Sequence, residues 1–133
     1  MRLWHEKLLP YLPRQQLLGQ HRECCALRGA GWGRRHSVVN YVFDHDPGRL
    51  VAYHWRVMDE MHRRGYNPDK AWFDPNWRGN TLGRQENWVN PCFAQLVYDE
   101  NALVYREHND AYLQECLENL KGKGIDLYGT FKS

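Results

Sequence analysis

The 133-residue sequence lacks most of the short motifs that announce a chemistry. It contains no Walker phosphate loop, no GxGxxG turn, no GxSxG elbow and no HExxH pair, which argues against P-loop NTPases, dinucleotide-binding enzymes, α/β-hydrolases and zincins. No apolar run approaches about 18 residues, so no membrane span is expected. The opening MRLWHEKLLPYL carries charges throughout and does not read as a signal peptide. Cysteine is sparse, at positions 24, 25, 92 and 116, with no CxxC spacing, and neighbours on a helix point to different faces. A soluble cytoplasmic protein with reduced, mostly core-packed thiols is expected. A dominant charge is also missing: the net value is +2 and the pI is near 8.4. That permits a phosphate-bearing partner without demanding one. Internal repeats and low-complexity segments are absent.

What is present suffices for one domain, residues 1–133, with a single core. Hydrophobic residues make up 42% of the chain and aromatics 14%, while a mean hydropathy of −0.81 implies a polar surface. The fold class expected is mainly α: three principal helices with long ordered loops.

The first helix follows Pro13, a residue suited to a first helical turn. Leu17, Leu18, Cys24 and Cys25 form its apolar stripe, with Gln16, Gly19, Gln20 and Glu23 largely off it. Arg22 and Glu23 are adjacent, and Gly19, one turn earlier, leaves open space above the carboxylate. Such a pair can hold a cationic intermediate and a nearby anion, although charged neighbours on an amphipathic helix are usually solvated surface. The stretch RGAGWGRRH, residues 28–36, sets Arg28, Arg34, Arg35 and His36 around Trp32. It reads either as a phosphate-approaching loop with a stacking aromatic or as a plain helix-to-loop junction. Residues 37–43, SVVNYVF, read as a strand or a buried connector.

The second helix has the clearest limits, with Asp46 as N-cap, Pro47 at its first position and Gly65 closing it. Leu50, His54, Val57, Met58 and Met61 fall on its inner stripe, His54 as a hydrogen-bonded core histidine. Residues 66–90 read as an ordered loop layer pinned by Trp72, Trp77 and Trp88. Residues 93–106 alternate as a short β-hairpin would, with two helical turns as the alternative. A third helix begins at Asn109 or Asp110, turns Ala111, Leu113, Cys116, Leu117 and Leu120 inward, and stops at Gly122 or Gly124. The tail interleaves Lys121, Lys123 and Lys132 with Tyr128 and Phe131, as a nucleic-acid edge or a docked terminus would. Metal ligands look scattered, at His5, His21, His36 and His108, and Asp44-His45-Asp46 is better explained by capping. No metal and no cofactor are expected.

The run LPRQQLLGQHREC, followed by Gly29-Ala30, resembles the first helix of the pyrimidine-dimer DNA glycosylases of the phage endonuclease V type. Residues 36–67, above all RLVAYHWRVMDEMHRRGYN, are similar to that family's second helix and its closing turn. Trp77-Arg78-Gly79 and residues 107–120 parallel its C-terminal part, with an apparent insertion between Asn80 and Arg106.

The resemblance implies a mainly helical, bifunctional glycosylase and abasic-site lyase acting on double-stranded DNA, as a monomer and nucleoid-associated. Its expected substrate is an ultraviolet pyrimidine dimer. In the family an N-terminal α-amine attacks C1′ of the damaged nucleotide, forms a Schiff base and cuts the strand by β-elimination. Here Met1 takes the nucleophile's place, Glu23 that of the carboxylate stabilising the cationic sugar, and Arg2 a phosphate contact. An α-amine titrates at about 7.7–8.0 and is therefore partly nucleophilic near neutrality without a cofactor. Arg22 matches the arginine before the family's glutamate. A second family arginine falls on Ala26, with Arg28 as its substitute from the next turn. Gln16 replaces a histidine and can still bond a base or phosphate. Arg34, Arg35, Lys121 and Lys123 complete the expected DNA surface. Glu118 departs from a basic position of the last helix. The alternatives are a non-catalytic DNA-binding or interaction module on the same scaffold, or the same imine chemistry on a different base.

Overall fold

The computed structural model describes residues 2–35, 38–100 and 102–131; Met1, His36 and Lys132 lie outside the described residues. Two long helices form the frame, α1 at Arg14–Arg28 and α2 at Pro47–Arg63. A single turn α3 at Gly79–Leu82, a nine-residue α4 at Pro91–Asp99 and α5 at Asp110–Gly122 complete the α-helices. Short 3₁₀ segments lie at Glu6–Tyr11, Asn40–Asp44, Lys70–Phe73 and Tyr128–Thr130. The described residues contain no strand, only one isolated bridge between Trp77 and Arg84. Among the described residues no helix is long and apolar enough to cross a membrane.

Helix α2 is the hub, packing against α1, α4 and both of the first two 3₁₀ segments. Its limits are local in origin. The Asp46 carboxylate accepts from Gly48 N–H at 2.8 Å, and Gly65 at φ 86° turns the chain so that Tyr66 N–H reaches Met61 O. Leu50, Ala52, Tyr53, Val57 and Met58 of α2 are wholly buried beside Leu17, Cys24 and Leu27 of α1. Gly48 is required by close approach, since a Cβ there would stand 2.8 Å from the Phe93 ring of α4.

The described residues of 93–106 form no β-hairpin; the helical alternative holds for the first part of the segment. Asn90 accepts from the N–H groups of Cys92 and Phe93, Pro91 occupies the first turn, and α4 follows. The buried residues Ala94 and Val97 stand three apart, a helical spacing that the alternation of AQLVY hides. The segment after it is irregular, held where Glu6 accepts from Val104 N–H at 2.7 Å and from Tyr105 N–H at 3.3 Å. Glu6 is itself paired with Arg56 at 2.6 Å. Of the SVVNYVF segment, the described residues 38–43 form a connector with a 3₁₀ turn, Val39 and Val42 fully inside.

Three further side chains sit differently from expectation. Ala111 is exposed. Gln20 is buried, on the same face as Leu17 and Cys24 rather than off it. Arg28 is also completely buried.

Candidate functional site

Helix α1 carries the carboxylate of interest on a wall shared with the start of the chain and the end of α5. A cleft of about 390 Å³ is lined there by Arg2, Trp4, Gln16, Gly19, Gln20 and Glu23, with Val38, Asn119 and Lys123 on its remaining sides. Residues separated by more than a hundred positions thus meet in one polar recess. Gly19 keeps it open, because a Cβ at that position would find only Arg22 Nη2, at 3.7 Å. Glu23 is half-buried, and its Oε2 is shielded from solvent with no hydrogen-bond partner among the described residues. An unpaired, desolvated carboxylate oxygen beside cationic side chains is suited to a transient positive charge, since its bonding capacity is not already spent.

The first residues reach this recess as irregular chain, held by side chains. Gln20 Nε2 donates to Arg2 O at 3.0 Å, and Gln20 Oε1 accepts from Trp4 N–H at 2.6 Å. Tyr53 OH donates to Trp4 O and Tyr112 OH to Leu3 O, both at 2.6 Å. The Arg2 guanidinium bonds Glu115 at 3.2 Å and lies 5.9 Å from the Trp4 ring centre and 5.8 Å from that of Tyr112. The net effect on Arg2 is a raised pKa, despite the opposing cost of burial, through Tyr112 and Glu115.

The expected site residues therefore divide. Arg2, Gln16, Glu23 and Lys123 share the cleft. Arg22 is exposed beside it, lining an adjoining depression with Arg14, Gln15 and Leu18. Arg34 and Arg35 belong to a separate cavity of about 580 Å³ that also includes Cys25, Trp72, Arg78 and Asn80. Lys121 is exposed, its ammonium 5.4 Å from the Tyr128 ring centre. Arg28, expected among the DNA contacts, does not reach the surface: its guanidinium donates to Trp72 O at 2.8 Å, Asp74 O at 2.7 Å and Trp77 O at 3.0 Å. Met1 lies outside the described residues. Trp4, Gln20, Val38 and Asn119 line the cleft without having been singled out as site residues. Asn119 had a signal, standing one helical turn before Lys123.

Another cavity, of about 590 Å³, includes Glu6, Arg56, Glu60 and Arg63, whose charges are already neutralised as the pairs Glu6–Arg56 and Glu60–Arg63.

The structure also gathers His21, Cys25 and His54, which the sequence left dispersed. His21 Nδ1 and His54 Nε2 are 2.8 Å apart, and Cys25 Sγ stands 3.9 Å from both. These residues do not fit a cation as arranged. Arg28 Nη1, which can only donate, lies 3.0 Å from His54 Nδ1. His54 therefore carries its proton on Nε2, where a metal would need the lone pair. A ligating imidazole donates its far nitrogen outward, the reverse of this arrangement. Burial also pushes the Cys25 thiol up to about 12, opposing a thiolate ligand.

Comparison with known proteins adds one finding. The sequence profile of a family described as pyrimidine dimer DNA glycosylase matches residues 1–74. That span is more than half of the chain and takes in α1, α2, Arg2, Gln16 and Glu23, while Asn119, Lys121 and Lys123 lie beyond it. No curated protein and no solved structure matches.

Proposed function

The chain belongs to the pyrimidine dimer DNA glycosylase family, and from that premise we propose that it excises a damaged pyrimidine and then cuts the abasic strand through an imine on the Met1 α-amine. The amine nitrogen bonds C1′ as the N-glycosidic bond breaks and the base departs with a proton. Opening of the sugar ring leaves a protonated imine. Loss of a C2′ proton then expels the 3′ phosphate by β-elimination, and water releases the enzyme. Glu23 stabilises the cationic sugar and accepts or returns these protons. Arg2, Arg22 and Lys123 hold the flanking phosphates, with Gln16 bonding a base or phosphate. Arg34, Arg35 and Lys121 extend the basic surface. Reaching C1′ requires the duplex to be bent and a nucleotide extruded.

The observation that carries this reading is the juxtaposition of an unpaired Glu23 oxygen with Arg2 and Trp4 in one cleft. Borohydride trapping on abasic and ultraviolet-irradiated duplexes tests it. A covalent adduct with the untagged chain is expected, lost in Glu23→Gln and when one residue is added before Met1. No adduct from the untagged wild-type chain on either duplex sinks the imine mechanism. An adduct on abasic DNA alone retains the amine chemistry but removes the pyrimidine dimer as its substrate.

A further inference from the structure

Gln20 is 1% exposed, between the buried Leu17 and Cys24 on the inner face of α1, where an apolar residue is the ordinary occupant. A buried amide is tolerated when its bonding capacity is used. Here Oε1 accepts from Trp4 N–H at 2.6 Å and from Tyr53 OH at 3.0 Å. Trp4 N–H can only donate, so the amide atom facing it is the oxygen, and Nε2 consequently faces Arg2 O at 3.0 Å; the single Tyr53 hydroxyl proton is shared between Oε1 and the closer Trp4 O. The Tyr53 hydroxyl spans Gln20 and Trp4 O, and Tyr112 ties Leu3 O from α5. Residues 2–4 have no helix or strand to hold them, so these side chains set their course. Glu23 stands three residues after Gln20, on the same helix.

We propose that Gln20 is a positioning residue for the imine-forming reaction: by binding Arg2 O and Trp4 N–H from the helix that carries Glu23, it sets the distance and direction between the residue-1 amine and that carboxylate. This rests on the amine mechanism proposed above. Gln20 touches no reacting atom. Its contribution is to remove the freedom that an irregular terminus has, and a misplacement of about 1 Å can cost on the order of a hundredfold in rate.

The test uses the full untagged chain as wild type, Gln20→Met, Gln20→Glu and Tyr112→Phe. Two quantities are measured for each: the single-turnover rate of borohydride-trapped adduct on an abasic duplex, and the affinity for the same duplex carrying an unreactive tetrahydrofuran abasic analogue. Melting curves verify folding. For Gln20→Met the trapping rate is expected to fall on the order of a hundredfold while affinity stays within about threefold. For Gln20→Glu, the ratio of its rate to that of wild type should rise as pH falls, because a protonated carboxyl restores the donor to Arg2 O and a carboxylate does not. A purely structural role predicts no such pH-dependent ratio in folded protein. Tyr112→Phe removes a single tether, keeps the ring, and should slow trapping severalfold at unchanged affinity; it carries the test if Gln20→Met does not fold. Wild-type trapping rates in a folded Gln20→Met, or in Tyr112→Phe if that is the arm used, overturn the positioning role and leave the amine mechanism standing. No adduct from wild type overturns both.

Discussion

Arg28 donates to His54 Nδ1 across 3.0 Å, and neither side chain reaches solvent. The same guanidinium binds three carbonyls of the 72–77 segment, so one residue at the end of α1 fastens that segment to both long helices. Burial lowers its pKa to about 10, which leaves it cationic at neutral pH. Arg28→Met strands the carbonyls of Trp72, Asp74 and Trp77 together with His54, at about 1–3 kcal/mol for each buried group left unmet. A total loss of at least about 3 kcal/mol is expected, seen as a melting temperature lower by roughly 10 °C. Arg28→Lys should restore little, because an ammonium cannot reproduce the planar fork. Unchanged melting together with weakened DNA binding would return Arg28 to the phosphate surface.

Gly19 separates two effects that usually travel together. A Cβ there meets nothing nearer than Arg22 Nη2 at 3.7 Å, ordinary van der Waals contact. Gly19→Ala should stabilise α1 by about 0.8–1 kcal/mol through helix propensity and leave strand cleavage within about threefold of wild type. Gly19→Leu retains a good helix former but places a branched side chain on the wall of the Glu23 cleft. Cleavage of ultraviolet-irradiated DNA should then drop by more than about tenfold at an undiminished melting temperature. A fully active Gly19→Leu would mean that the sugar is not received in this cleft.

The contrast between legible and hidden parts follows the range of the interactions involved. Helix α2 was legible because Asp46, Pro47 and Gly65 act within one turn of themselves. At α4 the alternation of AQLVY favours a hairpin over the alternative of two helical turns, and the feature that decides for the helix is the Asn90-Pro91 cap before it. Gln20 and Arg28 look polar and therefore external, and nothing near them in sequence says otherwise. Their partners are 16 to 49 positions away, at Trp4 and Trp77 for example. Arg2, Gln16, Glu23 and Lys123 could be nominated together only through the family resemblance, and the cleft they share includes Asn119 and Val38 that the resemblance did not supply.

Buried histidines give stability a sign on the pH axis. His54 and His108 are fully enclosed, and burial drives both imidazoles down, His108 to about 3 with His5 adding to the effect. Around His108 stand Tyr41, whose hydroxyl bonds Nε2 at 2.7 Å, Glu6, and the rings of His5, Tyr53, Tyr105 and Tyr112. The native state keeps these histidines neutral, while the unfolded chain takes up protons below about 6.5. The unfolded state therefore binds more protons as pH falls, and stability must decline from about 6.5 downward, continuing for His108 toward 3. Each such histidine adds up to about 1.4 kcal/mol per pH unit. Glu6 has the opposite sign, its carboxyl raised by burial in spite of Arg56, and reduces the slope. Urea unfolding at pH 7 and pH 5 should show a clear loss at the lower value, smaller in a folded His108→Gln. Equal stability at both pH values contradicts the neutral, buried assignment.

The basic side chains differ in what they can do for DNA. Arg34, Arg35 and Lys123 are exposed, whereas Arg78 is committed, donating to Arg28 O at 2.7 Å and Gly29 O at 3.1 Å. Each phosphate neutralised contributes about −0.9 to the slope of log affinity against log salt. Arg34→Ala, Arg35→Ala and Lys123→Ala should each weaken binding to a tetrahydrofuran-containing duplex and make that slope shallower by roughly 1 if the side chain holds a phosphate. Lys123 lines the Glu23 cleft, so its loss should also slow imine trapping at saturating DNA; the two arginines line a different cavity and should leave that saturated rate unchanged. Binding titrations at four salt concentrations, paired with single-turnover trapping, read both effects. If Arg34→Ala and Arg35→Ala keep the wild-type slope, the DNA does not run over residues 29–35, and the phosphate path is confined to the cleft side of α1.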